Sequence, residues 1–151
     1  MPSNQAGKST AGRGAYDLYM NKQIVAGIYE AFGRGDLAGV LSPLAEDVAW
    51  EMPGPAPFSG ARKGPAEVQQ FFVELLGSVK IDEFKVDAIV ADGDRVVVLG
   101  SETCTILATG RTVSQHWSHA YTLRDGKVTA IRLYEDTAIV ASAFARSATA
   151  G

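Results

Sequence analysis

Apolar and polar residues alternate along the C-terminal half of the chain, most regularly over residues 111–135. This stretch predicts two strands joined at Asp125 and Gly126. The Asp-Gly dipeptide suits the two-residue turn of a β-hairpin, because both positions tolerate a positive φ. We therefore expect a long antiparallel hairpin here.

Alternation also assigns the side chains of this hairpin to faces. One face of its first strand carries Gln115, Trp117, His119, Tyr121 and Leu123. With Leu123 opposite Lys127, the expected partners across the hairpin are His119 with Ile131, Trp117 with Leu133, and Gln115 with Glu135. A mostly apolar face with a histidine, a tyrosine and a glutamate set into it is typical of a pocket wall.

The N-terminal half shows helical spacing instead. From Tyr16 the apolar positions of a first helix are Ile24, Val25, Ile28, Tyr29 and Phe32, up to the glycines at 33 and 35. A second helix, capped by Asp36, covers 36–44, a short strand covers 48–52, and a third helix opens at Gly64 and Pro65. Three helices therefore precede most of the sheet.

Further strands are expected at 80–91 and 95–108, before the hairpin. Helices first and an antiparallel meander second indicate an α+β domain, whose curved sheet wraps its concave face around the helices. The residues from Ala138 onward either form a short helix or fray.

Composition indicates one domain. The chain has 151 residues, of which 46% are hydrophobic and 21% charged. We assign the domain to 15–145, with flexible ends at 1–14 and 146–151. The net charge of −3 disfavours a nucleic-acid partner, and no segment resembles a signal peptide or a membrane span. Cys104 is the single cysteine, which fits a cytoplasmic protein.

Several local motifs resemble the SnoaL-like, or ketosteroid-isomerase-like, branch of the NTF2-like superfamily. They are Gly35-Asp36-Leu37, Glu46-Asp47-Val48, the approach to the third helix at 60–64, and Arg124 to Val128 followed by Tyr134 and Asp136. The resemblance covers about 17–140 and implies a cone-shaped fold. That fold hosts isomerases, cyclases, dehydratases, epoxide hydrolases and non-catalytic modules.

The resemblance implies counterparts in this chain for only some of the catalytic residues of ketosteroid isomerases. The carboxylate base of that branch falls at Met52, and its helical tyrosine falls near Ile28, with Tyr29 expected to point elsewhere. The acid of its late strand falls at His119, where many SnoaL-like proteins also have a histidine. Steroid isomerisation is therefore not implied.

His119 is the expected acid or base, because imidazole exchanges protons near neutral pH. Alternation places Glu102 on the concave face, together with Gly100, Cys104 and Ile106. If Glu102 lies diagonal to His119, it orients the imidazole and raises its pKa. The predicted catalytic pair is therefore His119 and Glu102.

The predicted function is proton transfer on an apolar, cyclic or polyketide-like molecule, by isomerisation, cyclisation, dehydration or epoxide opening, with no metal and no cofactor. The expected pocket residues are Trp50, Met52, Cys104, Trp117, Tyr121, Ile131, Leu133 and Glu135. Two alternatives remain open, a hydrophobic-ligand-binding module and a dimerisation module, since core and pocket lining overlap in such a cone. The resemblance also implies a homodimer through the convex face of Ser101, Thr103, Thr105, His116 and Ser118.

Overall fold

A computed structural model describes residues 3–145, with side chains from residue 17. Its helices are α1 (Ser3–Gly33), α2 (Leu37–Leu41), α3 (Gly64–Ser78) and α4 (Thr137–Phe144). Its strands are β1 (Leu44–Met52), β2 (Gly60–Lys63), β3 (Val79–Asp92), β4 (Arg95–Ile106), β5 (Thr112–Arg124) and β6 (Lys127–Tyr134). The domain is thus α+β, as expected, and of the two alternatives left open for the residues after β6 the structure has the short helix, α4.

The first helix is longer than the hydrophobic pattern predicts. Helix α1 begins at Ser3, so most of the segment 1–14 that was assigned to a tail is helical. Extending an existing helix by one residue costs less than starting one, and this segment contains the helix formers Ala, Gln and Lys. The flexibility of 1–14 stays a prediction, and the predicted flexible end at 146–151 lies outside the described residues.

The second helix is shorter than predicted. Asp36 caps α2 as expected, since its carboxylate accepts from the Gly39 N–H at 2.9 Å. The helix ends before Pro43, and Leu44, expected on its inner side, begins β1. The Pro43 carbonyl accepts from the Val128 N–H at 2.9 Å, which joins the start of β1 to β6.

The six strands form one mixed sheet in the order β2-β1-β6-β5-β4-β3. Only the β1–β6 pairing is parallel among the described strands, so the sheet is mainly antiparallel. Strand β2 was missed, because four residues after a proline-rich loop carry no readable alternation. Register shifts near Glu83 and Val86 interrupt β3, and such bulges increase the local twist of a strand.

The hairpin of β5 and β6 forms at Asp125 and Gly126, with φ values of 51° and 76° at these positions. Its register differs from the prediction: His119 lies opposite Leu133, and Tyr121 lies opposite Ile131. The turn contains two residues rather than three, and a bulge between Thr122 and Leu123 adds another offset of one. The total shift of two residues restores every side chain to its predicted face.

The core lies between the helices and one face of the sheet. In β5 the buried positions are Gln115, Trp117, His119, Tyr121 and Leu123, the set that alternation predicted. Val25 and Ile28 of α1 and Val68, Phe71 and Phe72 of α3 pack into the same cluster. None of the helices in the described range is both long and apolar enough to cross a membrane.

Candidate active site

A cavity of about 100 Å³ lies between the helices and the concave face of the sheet. Most of the predicted pocket residues line it, namely Trp50, Met52, Glu102, Cys104, Trp117, His119, Tyr121, Leu133 and Glu135. Ile131 does not line the cavity. It lies between Trp50 on β1 and Tyr121 on β5, where it is 2% exposed and belongs to the core.

Stacked aromatic rings form one wall of the cavity. The Trp117 indole packs against the His119 imidazole with ring centroids 4.1 Å apart, and against the Phe84 ring at 4.9 Å. Gly100 lies opposite Trp117 in the β4–β5 ladder. A Cβ atom at Gly100 would approach the indole Cζ2 to 2.2 Å and the Lys85 carbonyl oxygen to 2.3 Å. The glycine is therefore needed for the indole to lie flat across the sheet.

A chain of hydroxyl groups fixes the imidazole. Tyr121 Oη donates to Tyr29 Oη at 2.8 Å, and Tyr29 Oη lies 2.6 Å from His119 Nδ1. Tyr121 is the donor in the first contact, and His119 Nδ1 is the acceptor that remains for the Tyr29 proton among the described residues. His119 consequently carries its proton on Nε2, on the side of the ring that faces Glu135.

Tyr29 is the site residue that sequence reasoning placed wrongly. It was expected to point away from the pocket, yet it lines the cavity and stacks on Trp117 with ring centroids 5.9 Å apart. The signal was present in the sequence, since Ile28 and Tyr29 both belong to the apolar stripe of the first helix. A stripe that wide covers adjacent helical positions.

The acidic partner of His119 is Glu135 rather than Glu102. His119 Nε2 lies 3.8 Å from Glu135 Oε1. Glu102 lies opposite Gln115 on β5, whereas His119 lies opposite Val98, so Glu102 is four strand positions from the imidazole level. That separation corresponds to about 13 Å along the strand. The predicted direct contact between Glu102 and His119 is absent among the described residues.

Gln115 joins the two buried glutamates. Its Nε2 donates to Glu102 Oε1 at 2.9 Å and to Glu135 Oε2 at 2.5 Å. Its Oε1 accepts from the Asp136 N–H at 2.9 Å, which fixes which end of the amide faces the carboxyl groups. Gln115 was expected on this face but was not recognised as a site residue, because a single glutamine gives no signal until its partners are known.

Burial controls the protonation of all three groups. Desolvation, together with the charge of Glu135, raises the pKa of Glu102 to about 7, although the Gln115 amide opposes this. Desolvation likewise raises the pKa of Glu135 to about 7, again opposed by Gln115. Desolvation lowers the pKa of His119 to about 3. Near neutral pH the imidazole is therefore neutral, and each of the two carboxyl groups is partly protonated.

The other titratable groups of the cavity stay protonated. Burial raises the pKa of the Tyr29 and Tyr121 phenols. Burial, reinforced by the charge of Glu102, raises the pKa of the Cys104 thiol to about 11. Cys104 is free and buried, as predicted for a small apolar side chain.

An outer groove lies beside the cavity. It is bordered by the end of α1, by α2 and by β3, and six of its residues also line the cavity: Tyr29, Phe32, Val40, Phe72, Ile81 and Phe84. The rings of Phe32 and Phe84 meet edge to face with centroids 5.2 Å apart. These shared side chains separate the cavity from the outer groove.

Two charged side chains near the cavity lie on the outer face of the sheet. Glu51, one position before Met52, is half exposed and pairs with Arg132 on the outer face at 2.8 Å. Neither residue reaches the cavity. Within the described residues, no three His, Cys, Asp or Glu side chains form a group that could hold a metal ion.

A family model matches most of the folded domain. The SnoaL-like domain model matches residues 25–131. The chain belongs to the SnoaL-like family. The match begins in the second half of α1 and ends in β6, so it contains Tyr29, Glu102, Gln115 and His119 but stops before Glu135.

Solved structures of the NTF2-like type extend this similarity. An NTF2-like protein of Burkholderia xenovorans LB400 is 38% identical, with a TM-score of 0.78, over 85% of this SnoaL-like chain and 98% of the other. TerC, co-crystallised with polyporic acid, is 28% identical, with a TM-score of 0.72, over 82% and 97% of the two chains. A candidate polyketide cyclase of Xanthomonas campestris pv. campestris is 25% identical, with a TM-score of 0.66, over 82% and 98%. No curated protein sequence matches the chain.

The raised pKa of Glu102 predicts a pH-dependent gain in stability for Glu102→Gln. Between pH 4.5 and about 7 the folded protein binds a proton at Glu102 that the unfolded chain has released, so the contribution of Glu102 to stability falls as the pH rises. At pH 8 we expect the amide variant to be more stable than the wild type by about 1–3 kcal/mol. At pH 5 the two proteins should be nearly equal.

Urea denaturation at the two pH values measures this difference. Glu51→Gln is the matched control, because it removes an exposed carboxylate whose ion pair contributes less than about 1 kcal/mol. A stability difference between wild type and Glu102→Gln that is the same at pH 5 and pH 8 would contradict the buried-carboxyl account.

Proposed function

We propose that this SnoaL-like protein is an enzyme that binds an apolar, cyclic or polyketide-like molecule in its cavity and moves protons on it without a cofactor. Isomerisation, cyclisation, dehydration and epoxide opening all require a placed acid and base in a dry site. The observation that carries the proposal is the pair of buried carboxyl groups, Glu102 and Glu135, bridged by Gln115 beside the neutral His119.

The surroundings of the two carboxyl groups suggest a role for each. Glu135 accepts from Gln115, which favours its ionised form, and its Oε1 lies 3.8 Å from His119 Nε2. The charge of Glu135 raises the pKa of Glu102, so Glu135 ionises first. In our proposal Glu135 is the base, and Glu102 is the acid that holds its proton near neutral pH.

His119 has a different role in this proposal from the one that its residue type suggests. Because burial lowers its pKa to about 3, it exchanges no proton with solvent near neutral pH. Its Nε2–H is held in place by Tyr29 on the other side of the ring. It donates a hydrogen bond to the negative charge that develops on the bound molecule beside Glu135, and so stabilises that charge.

The relatives support a small-molecule ligand for the cone. TerC was co-crystallised with polyporic acid, and the Xanthomonas campestris protein is described as a candidate polyketide cyclase. The cavity of the present protein has aromatic walls and a few convergent polar groups, as small-molecule sites commonly do. The alternative function is a binding module that holds a similar ligand without chemistry.

Hydrogen exchange on a probe ketone separates the two functions. A base removes a proton from a CH₂ group of 2-indanone, and a deuteron from D₂O takes its place. Proton NMR follows this exchange, and the natural substrate need not be known. We expect the wild-type protein to accelerate this exchange and Glu135→Gln to slow it by about 10²-fold or more. The rate should peak near pH 7, where the carboxyl pair holds one proton.

Glu51→Gln, which changes a glutamate on the outer face, should exchange like the wild type. If 2-indanone binds but its exchange is no faster than in buffer, the protein is a binding module under these conditions and the proposed chemistry is wrong. An exchange rate that peaks instead near pH 4.5, the ordinary pKa of a carboxyl group, would exclude the buried pair as the acid and base.

The homodimer expected from the family is a second proposal. The convex face carries exposed His116, and a cross-strand row joins exposed Leu99 and Tyr134 through Ser118. Leu99 is 44% exposed and Tyr134 is 48% exposed, so this row presents apolar surface on both sides of Ser118. Localisation in the cytoplasm stays a prediction.

Sedimentation at micromolar concentration tests the dimer. We expect a dimer for the wild type and a monomer for Leu99→Glu, because a charge in the centre of an apolar contact is left unpaired. Leu76→Glu is the control, since Leu76 is comparably exposed but lies on α3. A wild-type monomer, or equal dimerisation of both variants, would contradict the assignment of this face.

A further inference from the structure

The side-chain amide of Gln115 can donate to both Glu102 and Glu135 in only one of its two orientations. In the orientation observed, its Nε2 donates to one oxygen of each carboxyl group, at 2.9 and 2.5 Å. With the amide reversed, Oε1 would face the same two groups and could accept only from their protonated forms. The orientation of this one amide therefore decides which form of both carboxyl groups is favoured.

The backbone of Asp136 selects between the two orientations. Gln115 Oε1 accepts from the Asp136 N–H at 2.9 Å, whereas a reversed amide would set its NH₂ group against this N–H. Gln115 is 8% exposed, so little water is available to replace the lost hydrogen bond. The Asp136 N–H thus keeps Nε2 directed towards the two glutamates.

Asp136 is the N-cap residue of α4, and its position depends on that helix. Its carboxylate accepts from the Ile139 N–H at 3.1 Å, and its carbonyl oxygen accepts from the Val140 N–H at 2.9 Å. Helix α4 has eight residues, and a helix of fewer than about 12 residues is marginal in water by itself. Docking of α4 on the rest of the domain therefore fixes the N–H that orients Gln115.

Arg111 fastens the other end of α4. It lies directly before β5, and its Nη1 donates to the carbonyl oxygens of Ser142 and Ala145, both at 2.8 Å. These oxygens lie at the end of the helix, where carbonyl groups lack partners within the helix itself. Between its two ends, α4 contributes the buried side chains of Val140 and Ala143 to the cavity lining. Helix α4 is thus a part of the cavity wall.

We propose that Gln115 is a positioning residue that couples the docking of α4 to the two carboxyl groups of the cavity. While α4 is docked, the Asp136 N–H holds the amide in the bridging orientation. When the contacts of Arg111 break and the helix leaves, the amide is free to reverse. The same movement therefore opens the cavity wall and disconnects the two glutamates. The role in catalysis rests on the proposed function, whereas the coupling itself does not.

The other titratable groups around the carboxyl pair stay uncharged near neutral pH, because they are buried. Those that line the cavity are Tyr29, Cys104, His119 and Tyr121. Asp82 on β3 does not line the cavity, although its charge contributes to the raised pKa of the Cys104 thiol. The residues that α3 and α4 add to the lining are all apolar, and no described lysine or arginine lines the cavity. Titration of the two glutamates therefore reports on the amide between them.

Two substitutions at position 136 isolate the backbone N–H. Asp136→Pro removes the N–H and the capping carboxylate, whereas Asp136→Ala removes the carboxylate alone. The φ of −77° at this position suits proline. Carbon NMR of protein labelled at glutamate Cδ follows each carboxyl group, with Glu102→Gln and Glu135→Gln for assignment. We expect both pKa values to be higher by about 1 in Asp136→Pro than in Asp136→Ala, because the ionised forms lose an oriented donor.

Arg111→Ala releases the other end of α4 and leaves Asp136 unchanged, so it tests the coupling even if Asp136→Pro fails to fold. It should speed the exchange of the α4 backbone amides with D₂O, measured by mass spectrometry, and raise the pKa of both carboxyl groups. Arg111→Lys, which can still donate to a carbonyl oxygen, should lie between Arg111→Ala and the wild type. Arg124→Ala is the control, since Arg124 is exposed at the opposite end of β5.

Gln115→Met separates coupling through the amide from a general loosening of the fold. Methionine has a similar length but no amide, so the pKa of both carboxyl groups should rise in this variant. Adding Arg111→Ala should then raise these pKa values no further, because the two changes act through the same amide. An Arg111→Ala effect that keeps its full size beside Gln115→Met would overturn the inference.

Two further results would overturn it: equal titrations of Asp136→Pro and Asp136→Ala, or an Arg111→Ala protein whose glutamates titrate as in the wild type. These experiments observe the carboxyl groups directly and require no catalysis. The positioning role also predicts that Arg111→Ala moves the optimum of 2-indanone exchange to higher pH, and an optimum that stays near pH 7 would contradict that role. A protein that shows the coupled titrations but exchanges no hydrogen would keep the coupling and lose the proposed chemistry.

Discussion

The hydrogen bond between Tyr29 Oη and His119 Nδ1 ties the first helix to the centre of the sheet. It joins residues 90 positions apart in the chain, at 2.6 Å, inside an apolar cluster. Tyr121 completes the tyrosine pair from the same strand as His119. A buried imidazole without this partner would have an unsatisfied acceptor, and the orientation of its Nε2–H towards Glu135 would be lost.

The polar groups of the cavity form one series from Tyr121 through Tyr29, His119, Glu135 and Gln115 to Glu102. Burial affects its members in opposite directions, because desolvation disfavours whichever form is charged. It lowers the pKa of the histidine and raises that of both glutamates. Histidine normally titrates near neutral pH, but His119 does not. Glutamate normally titrates in acid, but Glu102 and Glu135 titrate near neutral pH.

Strand register explains where reading the sequence succeeded and where it failed. Alternation alone placed Gln115, Trp117, His119 and Tyr121 on the buried face of β5, and an error of two residues in register did not disturb that. Contacts between strands depend on register itself, so the predicted partner of His119 was wrong. Glu135 follows directly after β6, where a small offset decides which side chain reaches the imidazole.

Other parts of the site could not be read from local patterns at all. The direction of Tyr29 depends on how α1 is rotated against the sheet, which the width of an apolar stripe leaves undetermined. The bridging role of Gln115 depends on three chain segments meeting, because its partners lie on β4 and just after β6. The family motifs, in contrast, identified the cone and the late-strand histidine, since both depend on the order of elements along the chain.

The protonation state of His119 tests the account most directly. Nitrogen NMR of the two histidines distinguishes a protonated from an unprotonated ring nitrogen, and the exposed His116 provides the comparison in the same sample. The account predicts that His119 keeps a bare Nδ1 and a protonated Nε2, without titrating, from pH 5 to pH 8. A His119 that gains a second proton within this range, or that carries its neutral proton on Nδ1, would contradict the hydrogen bond from Tyr29 to Nδ1 on which the site depends.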